Sequence, residues 1–314
     1  MIIRTVSYIV CGAKVMSDVP EFPCFRGIML NDKPLLDRLL TVMMPEISEL
    51  TFTNLYAWNL FEPVQLSRLG ETLLIKRTRL SDGKTFVLPP LGKQPLAEVL
   101  TALRTLSSAV NEVLLLYGVT RDQLLSLDTK ALKIEPDRDD WDYVYLLSDL
   151  ADLPGERYHP KRNFVARCLS NHECRYATIH TSETKDCLQL QTEWCNLRDC
   201  RRVPGLEAEN TAIRTVFENY DYLAVIGGAV YVEDKLEAFT LAERLSNDTA
   251  VVHFEKANPK FEGLYQLINQ WFCQNALGGF KFVNREQDLG VPGLRKAKES
   301  YYPHHMVEKY VVHI

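Results

Sequence analysis

The sequence predicts an α/β fold of the α+β kind, in which two mixed, splayed sheets are each flanked by helices. Three observations carry this expectation. The second half of the 314 residues reads helix, three antiparallel strands, helix, strand, helix, strand. The first half repeats that order loosely. A hairpin ladder followed by a strand–helix–strand crossover in one sheet changes the pairing from antiparallel to parallel. A sheet opens at such a change, and ligands lie across the carboxyl ends of its parallel strands.

Residues 1–11 read as a strand or a loose leader. They hold one basic residue, Arg4, and no small-residue cleavage site follows, so a secretory signal is a poor fit. Leu35, Leu36, Leu39 and Leu40 recur at helical spacing. A second short helix falls at 52–60, and strands at 64–69, 72–79 and 85–88. Pro89-Pro90-Leu91-Gly92 breaks the last of these. Residues 95–110 are helical, 112–117 form a strand, and Thr120 caps a helix running to Leu127. Leu153-Pro154-Gly155 is turn-prone. It divides the chain into a leader at 1–24, a first domain at 25–154 and a second, site-bearing domain at 155–314.

In the second half, 207–220 is a helix with Ile213, Val216, Phe217 and Tyr220 on its apolar side. Strands at 223–232 and 236–245 form a hairpin about a turn at 233–235. In the next strand, 249–256, alternation puts Ala250, Val252 and Phe254 on one face and Val251, His253 and Glu255 on the other. An amphipathic helix at 263–276 ends at Gly278-Gly279. A strand at 280–283, a helix at 294–301 and a last strand at 307–314 complete the chain.

The segment 284–298 is the most informative. It sets acids and bases among Gly290, Pro292 and Gly293, between a strand and a helix. Backbone N–H groups and the positive end of a helix dipole meet in such a loop, which favours anions. Alternation puts Asn284, Glu286 and Asp288 on one face and Arg285 on the other. The bland alternative is a solvated, salt-bridged strand end.

Bulk composition excludes other classes. A net charge of −5 argues against coating nucleic acid or anionic membrane by charge alone. No run approaches the ~18 apolar residues of a membrane span. The eight cysteines include no C-x-x-C pair, and zinc spacing is absent around His172 and Cys174. Reduced thiols, no bound metal and a cytoplasmic location are therefore expected.

Five stretches carry a resemblance. They are Phe52-Thr53-Asn54-Leu55-Tyr56-Ala57-Trp58, Pro89-Pro90-Leu91-Gly92, Lys161-Arg162-Asn163, His253-Phe254-Glu255-Lys256-Ala257, and the segment 284–298. From about residue 25 onward the chain resembles a bacterial family whose sequences match the C-terminal domain of phosphatidylglycerol lysyltransferase. That resemblance implies tandem GNAT-like acyltransferase folds, similar to Fem-type enzymes that use aminoacyl-tRNA. Two departures stand out. GNAT enzymes that bind acyl-CoA carry a pyrophosphate loop, Q/R-x-x-G-x-G/A, and the corresponding segment 256–263 has the single glycine Gly263. Phosphate contact is left to Lys256, Lys260 and the Gly263 N–H. Full lysyltransferases also carry a membrane-spanning region, which leaves open whether the acceptor here is a lipid headgroup or a small molecule.

The resemblance and the charges together suggest roles. Glu255 and Asp288 would orient or deprotonate the acceptor or the donor's ammonium, with His253 as an accompanying base. Lys256, Arg285 and Arg295 would hold the donor's phosphates or carboxylate, with Gly263 and Asn284 beside them. Lys161 and Arg162 open a helix-like run, where two cations oppose the dipole unless an anion is bound. Tyr301 and Tyr302 are candidate proton donors. The alternatives are a core histidine beside an ion-paired Glu255, and a solvated linker at 161–163. The leading expectation is a soluble aminoacyl-transfer enzyme with direct attack on an aminoacyl-tRNA or acyl-CoA co-substrate, and no tightly bound cofactor. A non-catalytic ligand-binding protein of the same fold and an acyl-CoA-dependent N-acetyltransferase are the alternatives. Absence of G-x-S-x-G leaves a nucleophilic-serine route unsupported.

Overall fold

The computed structural model describes residues 18–80, 82–110 and 113–314. The expected element at 1–11, and Cys11 with it, lies outside the described residues. The first strands and helices in chain order are β1 (Arg26–Gly27), α1 (Lys33–Met43), α2 (Phe52–Ala57), β2 (Val64–Leu69), β3 (Thr72–Thr78) and β4 (Thr85–Val87). Next come α3 (Leu96–Val110), β5 (Leu115–Thr120), α4 (Arg121–Leu125), β6 (Lys133–Pro136), β7 (Asp142–Leu146) and α5 (Leu147–Asp152). The chain goes on through α6 (His159–Asn171), β8 (Cys174–Thr178), α7 (Thr184–Arg198), α8 (Pro204–Glu218) and α9 (Tyr220–Leu223). It ends with β9 (Ile226–Val232), β10 (Lys235–Arg244), β11 (Thr249–Ala257), α10 (Leu264–Ala276), β12 (Phe282–Asn284), α11 (Pro292–Glu299), β13 (His305–Val307) and β14 (Lys309–His313).

Two seven-stranded sheets result, ordered β1-β2-β3-β4-β5-β14-β6 and β13-β7-β12-β11-β10-β9-β8. Each is mixed, with β4 against β5 parallel in the first and β11 against β12 parallel in the second. Both parallel pairings are short. Phe86 and Val87 face Leu115 and Leu116, and Thr249 to Val251 face Phe282 to Asn284. Beyond those residues the paired strands part.

The sheets exchange chain. Strand β7 precedes the 154/155 joint yet pairs with β12 and β13 of the second sheet. The expected single strand at 307–314 is two. His305–Val307 pairs with β7, and after Glu308 the chain crosses to the first sheet, where Lys309–His313 lies between β5 and β6. The crossing is fixed by Lys309. Its ammonium is fully buried, 2.7 Å from both carboxylate oxygens of Glu49 and 2.7 Å from Asp142 Oδ1. Asp142 also accepts from the Ser48 N–H and hydroxyl. A period-2 pattern does not report such a crossing, because both segments alternate.

Sequence periodicity does explain the packing. On one side of the second sheet stand Ala238, Ala242, Ala250 and Ala257, small enough for α10 to approach closely and bury Leu264, Leu267, Ile268 and Phe272. On the other side Phe239, Leu241 and Phe254 join Ile213 and Phe217 of α8. That second cluster continues into Leu36, Leu55, Leu66 and Leu73 of the first lobe, so one core runs between the sheets.

Cys195 and Cys200 are joined in a disulfide, which corrects the expectation that all thiols are reduced. Asp199, with φ 51°, ends α7 and turns the chain back, bringing the two Cα atoms to 5.0 Å. Cys24, Cys168, Cys174, Cys187 and Cys273 are free.

Replacing Lys309 by Met leaves Glu49 and Asp142 buried without their cation. Loss of one partner of a buried pair costs about 3–5 kcal/mol. Urea unfolding of Lys309→Met should show a loss of that order, and an unchanged midpoint would contradict the role given to this lysine.

Candidate functional site

The site begins with one residue out of register. In the β10–β11 ladder Ala242 faces Val252, and the next pair is Leu241 with Phe254. His253 has no partner, so β11 carries a bulge there. The extra residue reverses the alternation. Glu255 turns to the α10 side, where Asn269 Nδ2 donates to it at 3.2 Å. His253 stays with Glu243 on the opposite side. This corrects the expectation that His253 and Glu255 share a face.

The bulge also falls where β11 and β12 part. Past Asn284 the chain turns away through Glu286, whose φ is 57°. Arg285 reaches back across the gap and donates to Glu255 at 3.0 Å. A cavity of about 1130 Å³ opens here and runs between the sheets. Lys161, Glu255, Arg285, Lys298 and Tyr301 line its end in the splay. Asp137, Asp139, Asp140, Tyr117 and Arg77 line the end facing the first sheet. A second depression of about 570 Å³, beside Leu147, Gln274 and Phe280, lies away from these charges.

His253 is buried between two carboxylates, with Nδ1 2.8 Å from Glu286 Oε1 and Nε2 2.8 Å from Glu243 Oε1. Burial disfavours its charge, but the two carboxylates win and push it up from 6.5 to about 10. At neutral pH it is an imidazolium donating both protons, so the expectation of a histidine base is corrected. Glu286 Oε1 also takes a long 3.5 Å bond from Asn54 Nδ2. Its Oε2 takes no hydrogen bond among the described residues, and the residue lines the cavity.

The expectation that Asp288 and Arg295 line one concave site with Glu255 and Arg285, which required the sheet to splay there, is corrected. Asp288 is wholly buried and accepts from Arg295 Nε and Nη2 at 2.8 Å, Tyr143 Oη at 2.6 Å, Arg138 at 3.1 Å and the Gly290 N–H at 2.9 Å. Burial opposes its charge, yet the bonds from Arg295, Tyr143 and Gly290 hold its carboxyl well below the usual range. Arg295 spends its remaining contact on Asp139 at 2.7 Å. Gly290 is required here: its φ is +69°, and a Cβ would come within 2.7 Å of Asp139 Oδ2. The pair is an interior network that fixes the loop.

Four other expected ligand-binding residues serve the fold. Lys256 is buried, 2.7 Å from Glu209 and 3.9 Å above the Trp194 ring. Gly263 caps α10 at φ +88°, and a Cβ there would lie 2.1 Å from the Phe164 carbonyl oxygen. Arg162 donates to the Leu153 and Gly155 carbonyls and holds the joint. Asn284 is buried, donating to Asp142 at 3.0 Å and accepting from the Glu286 N–H at 2.8 Å.

The cations at the splay end of the cavity are Lys161, Arg285 and Lys298. Lys161 donates to Ser300 at 2.6 Å and sits 4.1 Å above the Tyr301 ring, which Arg285 also covers at 5.1 Å. Lys298 donates to the Arg285 carbonyl. Burial first, then repulsion from Arg285, holds Lys161 down at about 8. The same two causes hold Lys298 at about 8. At the opposite end Tyr117 donates to Asp140, and burial with the neighbouring Asp140 and Asp139 raises Asp137 to about 6. Among the described residues no group of His, Cys, Asp and Glu could hold a metal ion, and no helix is long and apolar enough to cross a membrane.

The family model for phosphatidylglycerol lysyltransferase, C-terminal, matches residues 41–313. The chain belongs to this family. A conserved protein of unknown function from Bacteroides thetaiotaomicron is 30% identical, with a TM-score of 0.86 over 92% of this chain and 99% of that one. The C-terminal domain assigned to a lysylphosphatidylglycerol synthetase of Agrobacterium fabrum aligns at TM-score 0.64 and 12% identity, over 90% of this chain and 91% of that one. FemX aligns at 0.56 and 10%, over 92% and 96%. These two share the fold, which is the tandem GNAT-like one. An uncharacterised protein of Mycoplasmoides gallisepticum is 21% identical over 175 residues, so the chain covers 56% of that relative's length.

Three of the stretches that carried the family resemblance converge on the bulge: Asn54 from 52–58, His253 from 253–257 and Glu286 from 284–298. Sequence reasoning missed Glu243, Glu286 and Lys298 as site residues. Their common signal was charge inside apolar or helical runs, Glu243 late in β10 and Lys298 on the inner side of α11.

Two outcomes follow. The His253 imidazolium contributes stability that is complete below about pH 6.5 and lost as pH rises toward 10, because its folded value lies above its ordinary one. The difference in melting temperature between the protein and His253→Gln should be largest near pH 6 and shrink toward pH 10; a constant difference contradicts the bridged imidazolium. Arg295→Ala removes two bonds to a buried carboxylate and should lower stability. Chemical denaturation should register it, and an unchanged midpoint would mean that Arg295 is free to serve a ligand.

Proposed function

We propose that this member of the lysyltransferase C-terminal family is a soluble acyltransferase of the aminoacyl-transfer type, with the cavity as its active site. The observation that supports it best is the division of charge along one cavity at a strand splay. The end facing the first sheet is rich in acids, with Asp137, Asp139 and Asp140 beside Arg77 and Arg79, and the end in the splay is rich in cations, with Lys161, Arg285 and Lys298 around Glu255. An aminoacyl ester presents the complementary pattern, an ammonium on one side of the reacting carbonyl and phosphate-bearing groups on the other.

Glu286 is a carboxylate of the cavity wall. The imidazolium fixes one of its oxygens, leaving Oε2 for the ammonium of the aminoacyl group. The cationic end supplies a positive field as charge builds on the carbonyl oxygen during direct attack by an amine or hydroxyl. A group held in place beforehand stabilises that charge without reorganising. His253 takes no part as a base. Aminoacyl-tRNA is a cytoplasmic species, so this reading implies a cytoplasmic protein. It also takes tRNA as partner and either a lipid headgroup or a small molecule as acceptor.

The acyl-CoA reading is less well supported. The 256–263 segment is closed by its own bonds, with Asn258 held to Glu237 at 2.7 Å and the Lys260 N–H given to Asn258 at 3.1 Å. Its lysine at 256 is covered by Trp194. Of the contacts expected there, the Lys256 ammonium is taken by Glu209.

The test is transfer of radiolabelled amino acids from charged total tRNA to vesicles containing phosphatidylglycerol or to soluble amines. Ribonuclease-sensitive transfer is expected. Glu286→Gln should weaken donor use about tenfold, the loss of one charge contact of roughly 1.4 kcal/mol. Acetyl transfer from acetyl-CoA with no aminoacyl transfer would establish the alternative instead.

A further inference from the structure

The three cations in the splay share one close ion pair. Arg285 has one carboxylate, Glu255 at 3.0 Å. Lys161 and Lys298 make no ion pair among the described residues; their recorded acceptors are the neutral Ser300 hydroxyl and the Arg285 carbonyl. Arg285 is only 14% exposed, and its Nη1 is buried with no hydrogen-bond partner. An unpaired buried donor costs about 1–3 kcal/mol, and more when it is charged. Three like charges converging in a half-buried pocket add mutual repulsion. The buried lysines Lys309 and Lys256 are by contrast ion-paired, Lys309 with Glu49 and Asp142 and Lys256 with Glu209.

We infer that Lys161, Arg285 and Lys298 form a phosphate-binding subsite, taking a phosphomonoester or phosphodiester group of a small ligand at the deep end of the cavity. The inference deepens the reading above by assigning the phosphate of a substrate to this end. It rests on that reading for the substrate and on the geometry alone for the anion.

The chemistry fits phosphate better than a single carboxylate. Phosphate offers several oxygens to donors arriving from different directions, and here they arrive from three segments: Lys161 from α6, Arg285 from the end of β12 and Lys298 from α11. A guanidinium with a free nitrogen and two ammoniums form charge-assisted bonds to separate oxygens. Tyr301 is the floor on which Lys161 and Arg285 both rest, which keeps their heads together. Burial is the main cause that depresses both lysines, and an anion here would offset the second, the repulsion from Arg285.

The phosphate has two sources, a free phosphorylated small molecule or the headgroup of a lipid, and the arms of the test separate them. The full chain is titrated with inorganic phosphate, with glycerophosphoglycerol, and with phosphatidylglycerol vesicles against phosphatidylcholine vesicles, each matched in ionic strength with sodium chloride. Melting temperature and calorimetry are read. Inorganic phosphate should bind saturably and raise the melting temperature beyond the chloride control. Binding of glycerophosphoglycerol no tighter than inorganic phosphate assigns a free phosphate; tighter binding, repeated on the anionic vesicles, assigns the headgroup.

Lys161→Met and Lys298→Met should each weaken phosphate at least about tenfold, near 1.4 kcal/mol. Both should melt at or above the parent in the absence of phosphate, since each removes an uncompensated cation. Lys296→Met, on the exposed side of α11, should change neither. Three results would overturn the inference: no stabilisation beyond chloride, binding unaltered by the lysine variants, or a drop in melting temperature on replacing either lysine. These are distinguishable from failure of the transfer assay, because phosphate binding is measured without a donor.

Discussion

The unpaired residue at His253 sets the geometry of both sides of the cavity. Without it β11 would alternate regularly, and Glu255 would stay with His253 on one face. With it, the strand presents a histidine to Glu243 and Glu286 and, two residues on, a glutamate to Arg285. The two contacts brace the splay from opposite faces of the sheet. A bulge bends its strand and increases local twist. Here the bend coincides with the end of the short parallel pairing, so the opening of the sheet and the placing of its charges have one cause.

The charges of this region fall into two populations with different energetics. Around Asp288, carboxylate and guanidiniums saturate one another, and a tyrosine hydroxyl and a backbone N–H complete the carboxylate's shell. Such a network holds a loop in shape and has nothing to offer a ligand, since any contact would displace an existing bond. The cavity-facing groups are arranged in the opposite way. Glu286 has one oxygen bound and one without a partner, and Lys161 and Lys298 have only neutral acceptors. Groups left incompletely paired lower stability and are retained where something else completes them.

Most of the fold was legible from periodicity. The helix of the second lobe at 264–276, the hairpin of β9 and β10 and the strand at 64–69 all follow from spacing of apolar residues. The family resemblance pointed to the segments 52–58, 253–257 and 284–298, and these are the segments that meet. What was not legible is local register. A one-residue bulge leaves no mark on a pattern of period 2, so alternation assigned the faces of His253 and Glu255 wrongly. Nor does alternation along 284–288 hold once the strand ends at Asn284 and Glu286 adopts a left-handed conformation. That is why Arg295 and Asp288, charges in the most informative segment, turned out to be structural, while Lys298 on the same segment faces the cavity. The Cys195–Cys200 bridge escaped for a related reason. Spacing within a helix end says little until the left-handed turn at Asp199 is known.

The exchange of strands between the sheets ties these features together. β7 carries Tyr143 and Tyr145, which support Asp288 and Arg285, yet it is reached from the first lobe. The strand that follows the site, β14, returns to the first sheet and brings Lys309 to Glu49 and Asp142. Asp142 in turn holds Asn284, whose side-chain oxygen accepts the Glu286 N–H. A continuous path of buried hydrogen bonds therefore leads from the interface of the sheets to the carboxylate beside the imidazolium. Lys309, Asp142 and Asn284 are each paired along that path, and satisfied buried hydrogen bonds stiffen the structure around them. The cavity thus opens between lobes that cannot slide past one another without breaking Lys309 from its partners.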